Sequence, residues 1–114
     1  MTIGELIAFQ KNFDTAHVSK FPWNSNITDS NIEMLEFLLV SLTGEVGETA
    51  NIVKKVVRGD FLLDEKKTDL QEELADIFIY LLKIAYQLGL DLEKAYFEKM
   101  ENNRRRFEKY EKRV

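Results

Sequence analysis

An all-α protein, a four-helix bundle that oligomerises through helix packing, is what this sequence predicts, on three observations. Glycine (5) and proline (1) are scarce among 114 residues, and helix formers dominate. Apolar side chains recur every three or four residues over long stretches. Those stretches are bounded by capping residues on one side and glycine on the other.

The first helix is expected over about Ile3 to Asp14, with Ile3, Leu6, Ile7, Gln10 and Phe13 on one face. A loop, HVSKFPWNSNIT, follows, where Pro22 and the Asn/Ser cluster break the period. Ser30 and Glu33 have capping-box spacing, so the second helix is expected to start near Ser30 and to stop at Gly59. Gly44 and Gly47 lie inside it, each costing roughly 1 kcal/mol against alanine; a kink or the close approach of another group would account for them. A second loop runs from Asp60 to Lys67, and Thr68 with Gln71 makes the next capping box. The third helix ends at Gly89. Asp91 caps a fourth, carrying Leu92, Ala95, Tyr96, Met100, Asn103, Phe107 and Tyr110, with a frayed tail, EKYEKRV.

One domain over residues 1–114 fits this length. The formal charge of −4 and the 32% charged fraction call for neither nucleic acid nor a membrane surface. The first residues lack the basic and apolar regions of a signal peptide, and no apolar run reaches the roughly 18 residues of a membrane span. Without cysteine there is no disulfide framework, thiolate zinc site or cysteine nucleophile, and the chain fits a reducing cytoplasm. His17 is the only histidine, so a metal site must be built from carboxylates, which favours Mg²⁺ or Mn²⁺ over Zn²⁺.

Helical projection brings out such carboxylates. With Glu45 at zero, Leu38, Thr49, Val56 and Ile52 fall within about 40°, and Leu35, Leu42, Val46 and Val53 continue the apolar face. Glu48 sits about 60° round, on its border. With Glu73 at zero, Ile77, Tyr80 and Ile84 flank it, Leu70, Leu74, Leu81 and Leu88 extend the apolar face, and Asp76 sits about 60° round. Each helix thus sets one glutamate in its apolar stripe and a second acid at the rim. Burying one carboxylate costs several kcal/mol, and neighbouring ones raise each other's pKa. A divalent cation relieves both, and hard oxygen ligands on facing helices suit Mg²⁺. Glu72, about 100° from Glu73, points toward solvent. Solvated helix faces also carry acids three apart; two such pairs on core-facing edges are what distinguish this chain.

LTGEVGETANIVKK followed by LQEELADIFIYLL resembles the MazG-like nucleotide pyrophosphohydrolases of the all-α NTP pyrophosphatase group. Their ExxE and ExxD pattern appears as Glu45-Val-Gly-Glu48 and Glu73-Leu-Ala-Asp76, with 24 residues between. LDLEKAYFEKMENNRRRF is similar to the segment LDLxxAxxxKMxxNRxRY of the dCTP pyrophosphatase branch. The resemblance spans roughly Leu35 to Phe107. It implies a homodimer or homotetramer that hydrolyses an NTP or dNTP between the α and β phosphates, with Mg²⁺, or Mn²⁺, held by Glu45, Glu48, Glu73 and Asp76. Glu48 would be the general base. Lys99, Arg104 and Arg106 would stabilise phosphate charge, Lys99 and Arg106 as catalytic cations, and Asn103 would orient a phosphate or the sugar. The branch's base-stacking aromatic after ExxE is missing from TANIVKKVV, so stacking would fall to Trp23 or Phe21, with His17.

Lys55 lies near Glu48 on the projection and would reach phosphate; the alternative is a solvated lysine. Trp23 and His17 have ordinary roles open to them as well, as core anchor and as exposed side chain. Tyr80 would either hydrogen-bond a metal ligand or simply pack. Arg104, Arg105, Arg106, Lys109, Lys112 and Arg113 make a basic end, but interleaved Glu101, Glu108 and Glu111 speak against a nucleic-acid arm. Phe37, Leu39, Phe78, Leu82 and Tyr86 form more apolar face than one short bundle covers, which predicts self-association. Two other functions share these residues: a phosphoribosyl-ATP pyrophosphatase-like enzyme, against which the KMxxNRxR segment speaks, and a non-catalytic helical interaction protein with a structural ion.

Overall fold

The structure, a computed structural model, describes residues 1–17 and 20–112. Its described residues form four α-helices and no strand: α1 (Ile3–Ala16), α2 (Glu33–Arg58), α3 (Leu63–Leu88) and α4 (Leu92–Arg106). The all-α class is as expected. Short 3₁₀ turns lie at Asp29–Asn31 and Glu108–Tyr110.

The helix stops follow from glycine. Gly59 and Gly89 both take the left-handed conformation, at φ 92° and 69°, and their N–H groups close onto carbonyls of the preceding turn. Asp91 caps α4 by accepting from the Lys94 N–H. The starts differ from expectation. The capping box belongs to Thr28 and Asn31, at the 3₁₀ turn, and α2 begins after it at Glu33 without a side-chain cap. Helix α3 begins at Leu63, so Thr68 lies inside it rather than at its start. Asp64 and Glu65 supply negative charge to its first turn, and Lys67–Asp64 and Lys66–Asp69 ion pairs bridge successive turns. These features extend the helix through the stretch expected as loop. The fourth helix closes at Arg106, short of Tyr110. Arg113 lies outside the described residues.

Helices α2 and α3 form an antiparallel hairpin that makes most of the tertiary contacts. Helix α1 packs on α3, and α4 rests chiefly on α1. The centre of the core is Ile27, Met34 and Leu38, closed over by Leu35, Tyr80, Ile84 and Leu88. Leu82 and Ala85 are buried on α3. A polar tie joins α1 to α3. Asp14, 3% exposed, accepts from Tyr86 Oη and from Gln10 Nε2 (2.9 Å), and Lys83 Nζ stands 3.4 Å away. Burial first, then the Asp14 carboxylate, push the Tyr86 phenol upward, so it stays a donor. Gln87 pins the inter-helix loop: its Nε2 donates to the Trp23 carbonyl and its own carbonyl accepts from the Ile27 N–H.

Much apolar surface stays open. Val46, Val53 and Val57 on α2 and Leu74, Phe78 and Leu81 on α3 are exposed, although helical spacing sets most of them on the apolar sector. Ile32, Leu35, Glu36, Leu39, Val40 and Thr43 line a shallow apolar groove along the start of α2. The surplus face expected from the sequence is only partly the one exposed. Phe37, Leu39 and Phe78 are open, whereas Leu82 is buried and Tyr86 half-buried, because α1 covers that side of α3.

Candidate metal centre and active site

Helix α2 brings Glu45 and Glu48 to its inner edge one turn apart, and α3 does the same for Glu73 and Asp76. Both helices run uninterrupted through these residues, and Gly44 and Gly47 introduce no break. A Cβ on either glycine would meet nothing within 4 Å, so the space beside the acids is open in the single chain.

Glu45, Glu73 and Asp76, all half-buried, each offer a carboxylate oxygen, and the three oxygens lie within 4.8 Å of one another. Oε2 of Glu45 and Oε2 of Glu73 are shut from solvent and have no hydrogen-bond partner. A buried acceptor without a donor is costly, and two facing each other are worse. The Glu73 carboxyl is pushed up to about 7, first by its hydrogen-bonding approach to Glu45, then by burial, then by Glu48. Three hard oxygen donors with two orphaned lone-pair sets fit a divalent cation of the Mg²⁺ or Mn²⁺ kind. Glu48 stands apart: it is exposed and outside that three-oxygen set, yet close enough to act on Glu73. Glu72 is exposed.

The other candidate residues are not drawn to the acids in the single chain. Lys99, Arg104 and Arg106 are exposed on α4 and Asn103 is half-buried. Among the described residues none of these cations pairs with Glu45, Glu48, Glu73 or Asp76. Arg104 instead binds Glu101 through Nε and Nη2, at 3.1 and 2.8 Å, which holds the Glu101 carboxyl below its ordinary range. Arg106 lies over the Phe107 ring at 4.5 Å. Lys55 is half-buried on α2. His17 caps α1, with Nδ1 2.7 Å from the Phe13 carbonyl and its ring stacked on Phe13. Trp23 is half-buried in the loop, and its Nε1 is buried without a partner. Phe21 packs against Phe37. Tyr80 packs on the core cluster, and among the described residues it makes no hydrogen bond to Glu73 or Asp76.

Sequence reasoning missed one polar group altogether. Asp14, Lys83, Tyr86 and Gln87 converge beside Trp23, on the same side of α3 as the acids. The available signal was Lys83 itself, a charge interrupting the apolar run from Ile77 to Tyr86.

Comparison with known proteins points one way. Human dCTP pyrophosphatase 1 is 39% identical over 74 residues, covering 61% of this chain and 44% of that protein. The rat protein of the same name is 36% identical over the same shares. Gene 37 protein of Mycobacterium phage L5 is 42% identical over 62 residues, 53% of this chain and 54% of its own. The chain therefore spans about half the length of the curated relatives it matches. No solved structure matches it. The MazG-like family model matches residues 29–113, which take in both acid-bearing helices and α4, and the chain belongs to the MazG-like family.

Proposed function

We propose that this protein is a nucleoside triphosphate pyrophosphohydrolase, cleaving an NTP or dNTP between the α and β phosphates to the monophosphate and pyrophosphate. The observation that carries this reading is the set of three carboxylate oxygens, within 4.8 Å of one another, with two buried acceptors left unpartnered. Family membership and the relatives named dCTP pyrophosphatase 1 support the same reaction and make dCTP one of the first substrates to try.

Glu45, Glu73 and Asp76 would hold the cation, Mg²⁺ or Mn²⁺, with Glu48 at its outer edge. Bound there, the ion supplies neutralisation of phosphate charge and eases ionisation of the attacking water. Glu48, exposed at the edge of the acid set, takes the water's proton as the water oxygen attacks the α phosphorus. The bond to the bridging oxygen breaks, and pyrophosphate leaves with the electron pair. Lys99, Arg104 and Arg106 stabilise charge on the phosphates, Asn103 orients them, and Lys55 adds a cation from α2. Trp23 stacks on the base, and His17 borders it.

The working form is a homodimer or a tetramer built from dimers. The chain exposes 8867 Å², whereas a folded monomer of 13.4 kDa exposes about 6,500 Å². Its radius of gyration is 17.8 Å, against about 13 Å for a compact chain of this length. Part of the exposed surface is an apolar stretch along the α2–α3 hairpin, including Val46, Val53, Leu74, Phe78 and Leu81, of the composition found in obligate interfaces. A second copy also supplies what the single chain keeps apart, because α4 rests on α1 and its arginines turn to Glu101 and Phe107. Among the described residues no helix is long and apolar enough to cross a membrane. The cysteine-free composition and a nucleotide substrate suit work in the cytoplasm.

A panel of NTPs and dNTPs with Mg²⁺ or Mn²⁺, read by pyrophosphate release, tests the reading. Glu48→Gln is expected to lower the rate on the best substrate by about 10²- to 10⁴-fold. Wild-type protein releasing no more pyrophosphate than Glu48→Gln from every nucleotide would overturn it, in favour of a non-catalytic helical protein.

A further inference from the structure

The face of α3 that carries Glu73 and Asp76 continues through Tyr80 to Lys83, at steps of three and four residues. Lys83 lies seven residues beyond Asp76, about 10 Å along the axis. An extended nucleotide spans a comparable length between its α phosphate and the edge of its base.

Lysines on amphipathic helices normally run their ammonium out to water. Lys83 does not. Its side chain is 19% exposed, its Nζ stands 3.4 Å from buried Asp14, and it lies 6.0 Å from the Trp23 ring centre and 5.7 Å from that of Tyr80. Both distances are within cation–π range. Gln10 and Tyr86 donate to Asp14, one to each oxygen, and Lys83 adds the opposite charge from one side. Drawing an ammonium inward costs solvation that a plain packing contact would not. What the arrangement yields is a fixed, partly open donor between two aromatic faces. Lysine has three N–H donors and no acceptor, and Asp14 engages one side of it. The Trp23 indole N–H, buried without an acceptor, is a second unused donor in the same neighbourhood.

We propose that Lys83, held by Asp14 between Trp23 and Tyr80, reads the base of the nucleotide by donating to a carbonyl oxygen. Cytosine, uracil, thymine and guanine all carry such an oxygen. Adenine carries no carbonyl, only ring nitrogens, and where a carbonyl base offers an exocyclic oxygen it sets an amino group donor against donor with the ammonium. The site therefore favours carbonyl-bearing bases over adenine. This inference rests on the pyrophosphohydrolase reading, and Lys83 acts on specificity without touching the scissile phosphate.

Two readouts separate the two ideas. In the first, kcat/KM is measured for dCTP, dUTP, dTTP, dGTP, dITP and dATP with wild type, Lys83→Met and Lys83→Arg. The best carbonyl-bearing substrate is expected to exceed dATP by roughly tenfold or more in wild type. That ratio should collapse toward one in Lys83→Met and recover in Lys83→Arg, which keeps the donors. In the second, CMP, UMP, IMP and AMP are titrated without metal while the emission of Trp23, the single tryptophan, is followed. The carbonyl-bearing monophosphates should quench at lower concentration than AMP, and Lys83→Met should erase the difference. If Lys83→Met fails to fold, the Asp14→Asn, Lys83→Met double variant removes both charges together and serves in its place. An unchanged base ratio in an active Lys83→Met or double variant overturns the inference and leaves the reaction standing. Lys83-dependent quenching without hydrolysis of any nucleotide does the reverse. A wild type that takes dATP as well as the others overturns the inference outright.

Discussion

Glu45, Glu73 and Asp76 face one another across the α2–α3 seam, and among the described residues no lysine or arginine pairs with them. The Glu73 carboxyl answers this by holding its proton up to about 7. A carboxyl whose folded pKa lies above its unfolded value favours the fold while protonated. Its contribution is full below the unfolded value of 4.5 and is lost as pH rises through about 7. Ion-free protein should therefore lose melting temperature from this group across that window, and millimolar Mg²⁺ should restore more of it the higher the pH, because the ion displaces the proton. Thermal melts on a pH grid with Mg²⁺ or EDTA measure this; a Mg²⁺-induced shift that is flat with pH would count against the assignment, and Glu73→Gln should abolish the slope. At this scale the site was half legible. Glu45 and Glu73 stood out because one period sets each among apolar residues. Asp14 with Lys83 did not, since Asp14 looks like an ordinary helix-end acid until the fold brings Tyr86, 72 residues on, against it.

Element boundaries were legible where a backbone conformation needs one residue type. Gly59 and Gly89 end their helices because a left-handed residue closes the last turn, and Asp91 opens α4 because its oxygen is within reach of a free N–H. The starts of α2 and α3 were not, since Ser30 with Glu33 and Thr68 with Gln71 satisfy capping-box spacing equally well inside or beside a helix. Turn-to-turn ion pairs and the acidic first turn decided for α3, and the Thr28–Asn31 box decided where the chain enters α2. The tie between α1 and α3 belongs to this scale too. Tyr86→Phe removes one donor from a carboxylate that is 3% exposed, and it should cost about 1–2 kcal/mol in urea unfolding with the helix content retained. No measurable loss would show that α1 is held without this hydrogen bond.

For the whole molecule, the open flank of the hairpin outweighs any single contact. Leu74 is 58% and Val53 42% exposed, although periodicity sets both on the apolar sector, and sequence alone cannot tell a stripe facing its own core from one facing a second copy. Leu74→Glu should shift the sedimenting species to a monomer and reduce pyrophosphate release more than tenfold, while leaving monomer helix content near that of wild type; an unchanged assembly would place the interface elsewhere. The four helices were legible as a class, but their uneven packing was not, because periodicity marks an apolar face without naming the helix it meets. That separation of α4 from the acid-bearing hairpin has a genetic reading. If acids and cations come from different copies, two defective alleles can rescue one another. Glu48→Gln chains and Arg104→Ala chains, each inactive alone, should on mixing and reassembly regain about a quarter of wild-type sites for a dimer, since half the pairs are mixed and each mixed pair rebuilds one intact site. A chain of either kind mixed equally with wild type would leave about half of the sites intact, losing only its own share, so a damaged copy would not poison a normal one.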